Sequence, residues 1–133
     1  MRQVETLIVD LVCSKFNPDI IFLFGSFIRG ETHTESDIDI AFLGKQQYCE
    51  YEIFLIAQQL AEMLGKEVDL VDLGKSSTIF KAQVVKTGEI IYCIDENLRD
   101  VFVIKTIMEY EYLEYDRKGI IDNIEKTGRV YND

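Results

Sequence analysis

Apolar positions along this chain switch between helical and strand spacing. Val4, Leu7, Ile8, Leu11 and Val12 recur at three- and four-residue steps, which predicts an amphipathic helix over about residues 3–16. Asn17-Pro18-Asp19 breaks it. Residues 20–24 (IIFLF) form an unbroken apolar run of strand length, ended by Gly25-Ser26. Residues 37–43 predict a strand with two different faces, Asp37, Asp39, Ala41 and Leu43 on one and Ile38, Ile40 and Phe42 on the other. Ile53, Ile56, Ala57, Leu60, Ala61 and Leu64 mark a second helix over about 49–64, stopped by Gly65. A strand follows at 68–73, then a short helix at about 77–87 stopped by Gly88, then a β-branched strand at 89–94. Asp95 is placed to N-cap a last helix from about 96 to 117. With a short helix opening at Phe27, the order is α-β-(α)-β-α-β-α-β-α. This alternation predicts an α/β (α+β) fold with a mixed sheet covered by helices.

Two features within this pattern carry chemistry. Gly25-Ser26 closes a strand where a helix can begin, so Gly lets the backbone turn and approach a ligand. Ser adds a hydroxyl beside free N–H groups, a suitable place for phosphate. Alone, the pair far more often marks a plain strand-to-helix turn with Ser as N-cap. Ten residues later comes Asp37-Ile38-Asp39. Carboxylates at i and i+2 of a strand point the same way, about 7 Å apart at the backbone, and repel unless a cation lies between them. Oxygen-only ligands suit Mg²⁺ shared with substrate phosphates. A third acid would complete such a site and take a proton from an incoming hydroxyl. Asp69 and Asp72 both compete for that role. Asp69 lies inside its strand, where an unpaired carboxylate is expensive, and is favoured. Asp72 stands at the strand end before Gly74, where a capping role is natural.

Composition then narrows the classes. The chain has 133 residues, the length of one domain, so 1–133 is expected to be a single domain with a frayed tail from about residue 128. Apolar residues make up 47% and charged residues 29%, as in ordinary globular proteins. The longest apolar run is far below the ~18 residues that span a bilayer, and the N-terminus has no secretory apolar segment, so a cytoplasmic protein without membrane contact is expected. The net charge of −10 argues against gripping a nucleic-acid backbone, although not against a metal-bound nucleotide. Cys13, Cys49 and Cys93 form no C-x-x-C pair and, with one histidine, no zinc set, so three buried, reduced thiols are expected.

Gly25-Ser26, the ten-residue interval, Asp37-x-Asp39 and the acidic strand at Asp69 together resemble the nucleotidyltransferase superfamily related to DNA polymerase beta. Val68-Asp69-Leu70-Val71-Asp72-Leu73, Ser77-Thr78, Val84-Val85 and the run from Phe102 to Ile107 are similar to its minimal branch, the MntA-type antitoxins. The resemblance implies a partner, a HEPN-domain ribonuclease toxin, in a hetero-oligomer. It implies transfer of AMP from ATP to a tyrosine of that toxin. Gly25, Ser26 and Arg29 would then hold the nucleotide phosphates. Asp37, Asp39 and Asp69 would be the catalytic residues and would bind Mg²⁺, as one ion or two. Two other readings remain, a non-catalytic antitoxin that covers its toxin and a small-molecule nucleotidyltransferase, which usually carries an added substrate domain.

Several residues have a structural reading beside the functional one. Arg29 suits a triphosphate, or an ion pair with Glu31, Glu35 or one of the site acids. His33 reads as an exposed loop residue, Ser36 as a local backbone bond, and Lys75 and Lys81 as solvated surface. The last helix is apolar nearly all round at Val101, Phe102, Val103, Ile104, Ile107 and Met108, with Tyr110, Tyr112 and Tyr115 among acids. Such a helix packs on two neighbours, here the sheet and a partner, or serves one deep core.

Overall fold

The computed structural model describes residues 2–25 and 37–127, with side chains for 3–25 and 37–118. The elements run α1 (Arg2–Phe16), β1 (Ile20–Phe24), β2 (Ile38–Leu43), α2 (Glu50–Leu64), β3 (Val68–Asp72), a 3-10 turn (Leu73–Lys75), α3 (Thr78–Thr87), β4 (Glu89–Cys93) and α4 (Glu96–Thr127). The strands form one sheet in the order β3-β2-β1-β4. β1 is antiparallel to both β2 and β4, and β2 is parallel to β3. The sheet is therefore mixed, as the alternating pattern predicts. Among the described residues, no helix is long and apolar enough to cross a membrane.

The alternation of side chains divides the interior into two layers. Ile21, Leu23, Ile38, Ile40 and Phe42 face α1 and α2, where Ile8, Val12, Phe16, Ile53, Ile56 and Leu60 close over them. Phe16 stacks on Phe42 with centroids 4.9 Å apart. The Tyr48 ring tilts against both, and its hydroxyl donates to the Phe16 carbonyl. On the opposite face Ile20, Phe22 and Ala41 meet Leu73 and Val84, with Phe80, Leu98 and Phe102 from α3 and α4. The central strands are thus apolar on both sides, while the outer ones keep one wetter face.

Local signals set the element ends. Gly65 ends α2 in the left-handed conformation at φ 68°, and its N–H bonds the Ala61 carbonyl. Ser77 caps α3 through the Phe80 N–H, and Asp95 accepts from the Asn97 N–H at 2.8 Å at the start of α4. The last helix runs ten residues beyond the expected end, to Thr127. No proline interrupts it, and one interior glycine, Gly119, costs only about 1 kcal/mol. The expected helix opening at Phe27 and the tail after Gly128 lie outside the described residues.

The cysteines depart from expectation. All three are free, but Cys49 is exposed at the start of α2, and Cys13 and Cys93 are only half-buried. Cys49 precedes the apolar stripe of α2 and Cys13 stands at the rim of the α1 stripe, so neither is drawn into the interior. Burial pushes the Cys13 thiol above its usual range, against a smaller lowering by its bond with Tyr92.

Two outcomes are expected. Phe42→Ala removes the ring that stacks on Phe16 and leans against Tyr48 and should destabilise the fold by about 3–5 kcal/mol in urea unfolding. Timed alkylation at mildly alkaline pH, read by peptide mass, should modify Cys49 well before Cys13, because the attacking species is an accessible thiolate.

Candidate active site

The end of β1 and the beginnings of β2 and β3 meet at one end of the sheet. Phe24 is the register partner of Asp39 across the antiparallel pair. Asp39 is the partner of Asp69 across the parallel pair. Register partners on neighbouring strands point to the same face about 4.8 Å apart, so these two carboxylates stand side by side. Asp37, two residues before Asp39, belongs to the same face at the strand's edge and is exposed. The face is that of Ala41 and Val71, below α3 and α4. Its apolar lining runs out toward Asp39, which is half-buried, and Asp69, which is exposed.

Gly25 explains why the first turn needs glycine. Its φ is +84°, a conformation that residues with a Cβ adopt at a cost, and an added Cβ would lie 2.1 Å from Asp39 Oδ2. The carboxylate of Asp39 therefore lies against the bare backbone of the turn. Phe24, just before it, is fixed by an edge-on contact with Phe80 of α3 at 5.7 Å. Ser26 and Arg29, expected beside this turn, lie outside the described residues, as do His33, Glu35 and Ser36.

The donors present suit a hard divalent cation. Asp37, Asp39 and Asp69 offer only carboxylate oxygens, and Asp39 occupies the space that a side chain at position 25 would fill. No group of three His, Cys, Asp or Glu side chains is drawn into one metal-sized cluster among the described residues. The pattern brings Asp39 and Asp69 together through register, with Asp37 beside them through the strand repeat.

Asp72 takes the capping role. It is the partner of Phe42, on the sheet face opposite Asp69, and its Oδ1 accepts from the Gly74 N–H at 2.9 Å. Its burial, with 7% exposed, is more than its place at a strand end suggested. Lys75 is exposed and donates to the Tyr48 carbonyl. Sequence reasoning missed a groove of about 540 Å³ between α2 and β3, lined by Phe54, Ala57, Asp69, Asp72 and Lys75 among others. Its one signal was Phe54, an aromatic residue next to the buried stripe of α2 rather than in it; it is 54% exposed.

Comparison with known proteins agrees with this geometry. Residues 7–97 match the family described as Polymerase beta, Nucleotidyltransferase. Protein adenylyltransferase MntA of Shewanella oneidensis is 39% identical over 105 residues, which span 79% of this chain and 75% of that protein. A crystal structure of a toxin–antitoxin with AMP-PNP contains a chain that superposes with a TM-score of 0.80 at 36% identity, covering 91% of this chain and 98% of that one. A structure of the tri-AMPylated Shewanella oneidensis HEPN toxin in complex with MNT antitoxin gives a TM-score of 0.77 at 34% identity, covering 94% and 99%. The sheet, the acid-bearing register and a match of this extent make the chain a member of the polymerase beta nucleotidyltransferase family, of its minimal MntA type.

Proposed function

We propose that this protein is an antitoxin that forms a complex with a HEPN ribonuclease toxin and silences it by transferring AMP from ATP to one of its tyrosines. The carrying observation is the register match of Asp39 with Asp69 against the glycine turn. The relatives' names point the same way, one a protein adenylyltransferase and another an MNT antitoxin in complex with an AMPylated HEPN toxin. Covering a partner requires neither paired strand acids nor a bare turn beneath them, so an enzyme explains more of the chain than a covering antitoxin does. The chain acts in this reading as a single minimal nucleotidyltransferase domain.

In the mechanism, the Gly25-Ser26 turn receives the triphosphate, with Arg29 as a further contact. Asp37, Asp39 and Asp69 would hold Mg²⁺, which supplies positive charge to offset the phosphates and the developing charge of the leaving group. The tyrosine oxygen attacks the α-phosphorus in line. A phosphorus–oxygen bond forms to tyrosine, the bond to the bridging oxygen breaks, and pyrophosphate leaves with that electron pair. Asp69, beside Asp39 but on the more exposed strand, takes the phenolic proton on a carboxylate oxygen. The residues do little covalent chemistry; they align the acceptor and distribute charge.

Two measurements check this. Asp39→Asn keeps shape but loses a charged oxygen, so AMP transfer to the HEPN partner, read by intact mass with ATP and Mg²⁺, should fall about a thousandfold, worth ~4 kcal/mol of transition-state stabilisation. Complex formation should persist, and Glu62→Gln, on the exposed side of α2, should transfer normally. Full protection from the ribonuclease by Asp39→Asn with no adduct from wild type would favour covering instead. Gly25→Ala should displace the Asp39 carboxylate and lower both transfer and stability, the latter by about 1–3 kcal/mol, in contrast to Gly65→Ala, whose added Cβ meets no atom within 4 Å and which should cost stability alone.

A further inference from the structure

The groove beside β3 meets the nucleotide chemistry only at Asp69, yet the rest of it has the features of a built site. β3 is an edge strand, paired only with β2 among the described residues. The Ile38 N–H donates to the Glu67 carbonyl at 2.9 Å. In a parallel ladder starting from that bond, residues 69 and 71 turn their main-chain groups toward β2. Val68 and Leu70 turn theirs outward. α2 stands over this open edge, with Ile53, Phe54 and Ala57 as an apolar wall. Main-chain donors and acceptors along an apolar wall are what an added strand requires.

Charge then selects the occupant. The lining holds Glu50, Asp69 and Asp72 against Lys75, and the Lys75 ammonium is engaged by the Tyr48 carbonyl. Asp72 is 93% buried by the complement of its 7% exposure. One of its oxygens caps Gly74, while Oδ2 is buried with no hydrogen-bond partner. A buried carboxylate oxygen left without a donor is costly, and an incoming cation removes that cost. A second copy of this chain would bring two acidic edges together with −10 on each molecule. A basic segment of another protein fits.

We propose that an extended, basic segment of the HEPN partner adds as a strand to the open edge of β3 and pairs an Arg or Lys with Asp72; this rests on the AMP-transfer reading above. The site then explains how a tyrosine reaches Asp69. Asp69 and Asp72 are three residues apart on opposite faces of β3, about 10 Å along the strand. A segment in register carries its tyrosine on the Asp69 face and its cation on the Asp72 face, three residues away. Phe54 supplies the apolar wall against which the cation's stem lies.

The test uses the whole protein and its purified HEPN partner. Asp72→Asn preserves an oxygen for the Gly74 N–H but removes the charge. The partner's KM for AMP transfer should rise about tenfold or more, with little change in the KM for ATP, while Glu62→Gln leaves both alone. Hydrogen exchange at the Val68 and Leu70 amides should slow about tenfold or more when the partner is added to wild type, and less when it is added to Asp72→Asn. A purely capping Asp72 would leave the partner's KM unmoved, and that result overturns the proposal, as do amides that stay unprotected in the complex. Protection that grows with this chain's own concentration, accompanied by dimer in sedimentation, would assign the edge to a second copy and also overturn it. If wild type transfers no AMP but the partner still protects these amides in an Asp72-dependent way, the docking stands and the transfer reading falls.

Discussion

The parallel pairing of β2 with β3 is the constraint on which the rest turns. It sets Asp39 beside Asp69, and two like charges at about 4 Å repel by ~1 kcal/mol in water and ~4 kcal/mol at the effective dielectric of a protein surface. The same pairing buries Ile38, Ile40 and Leu70 on the other face, under α1 and α2. Each fully buried aliphatic side chain contributes about 1.5–3 kcal/mol, so these three outweigh the repulsion. A one-residue slip of β3 would move Leu70 out of the core and turn Asp69 into it. The apolar face thus specifies where the charged face puts its acids.

That coupling is why so much was legible from the residues. Ile38, Ile40 and Phe42 have to face the core, so Asp37 and Asp39 are left on the opposite face. The alternation of β3 likewise sets Asp69 with Val71, and Asp72 with Val68 and Leu70. Helix limits followed from Gly65, Gly88 and Asp95, whose backbone bonds are local. What resisted was whatever depends on distant parts of the chain. The burial of Asp72 needs α2 and the 3-10 turn to close around a strand end, and the groove needs α2 to stand away from β3 near Phe54. The exposure of Cys49 followed from where a loop meets a helix, which residue type does not encode. The far end of α4 lies beyond the expected one because a single interior glycine, Gly119, does not end a helix whose sequence goes on to Ile120, Ile121 and Ile124.

The helix α4 shows how the same economy leaves surface unfilled. Leu98 and Phe102 pack over the sheet, the Phe102 ring 6.3 Å from that of Phe22. Val101, Ile104, Met108, Tyr112 and Tyr115 follow at helical spacing and remain exposed. Residues 111–118 are all exposed, so the helix outruns the body it covers. A Lys86 ammonium 4.1 Å above the Tyr110 ring helps fasten the last supported turn to α3.

An excess of acid and an apolar helix face act at different ranges. The charge of −10 extends over about a Debye length, roughly 8 Å at physiological salt, and favours encounter with a basic partner. It also discourages association of like copies through an exposed apolar stripe. Contact energy, by contrast, arises only where apolar surface is removed from water, and it has no sign of charge to distinguish partners. In the proposed complex with a ribonuclease, whose RNA site has to be basic to bind a polyanion, the acids would select the partner and the apolar face would retain it. In that proposal the paired acids of β2 and β3 belong to both descriptions, since the same negative charge that would recruit such a partner is what a divalent cation would have to offset before ATP could approach.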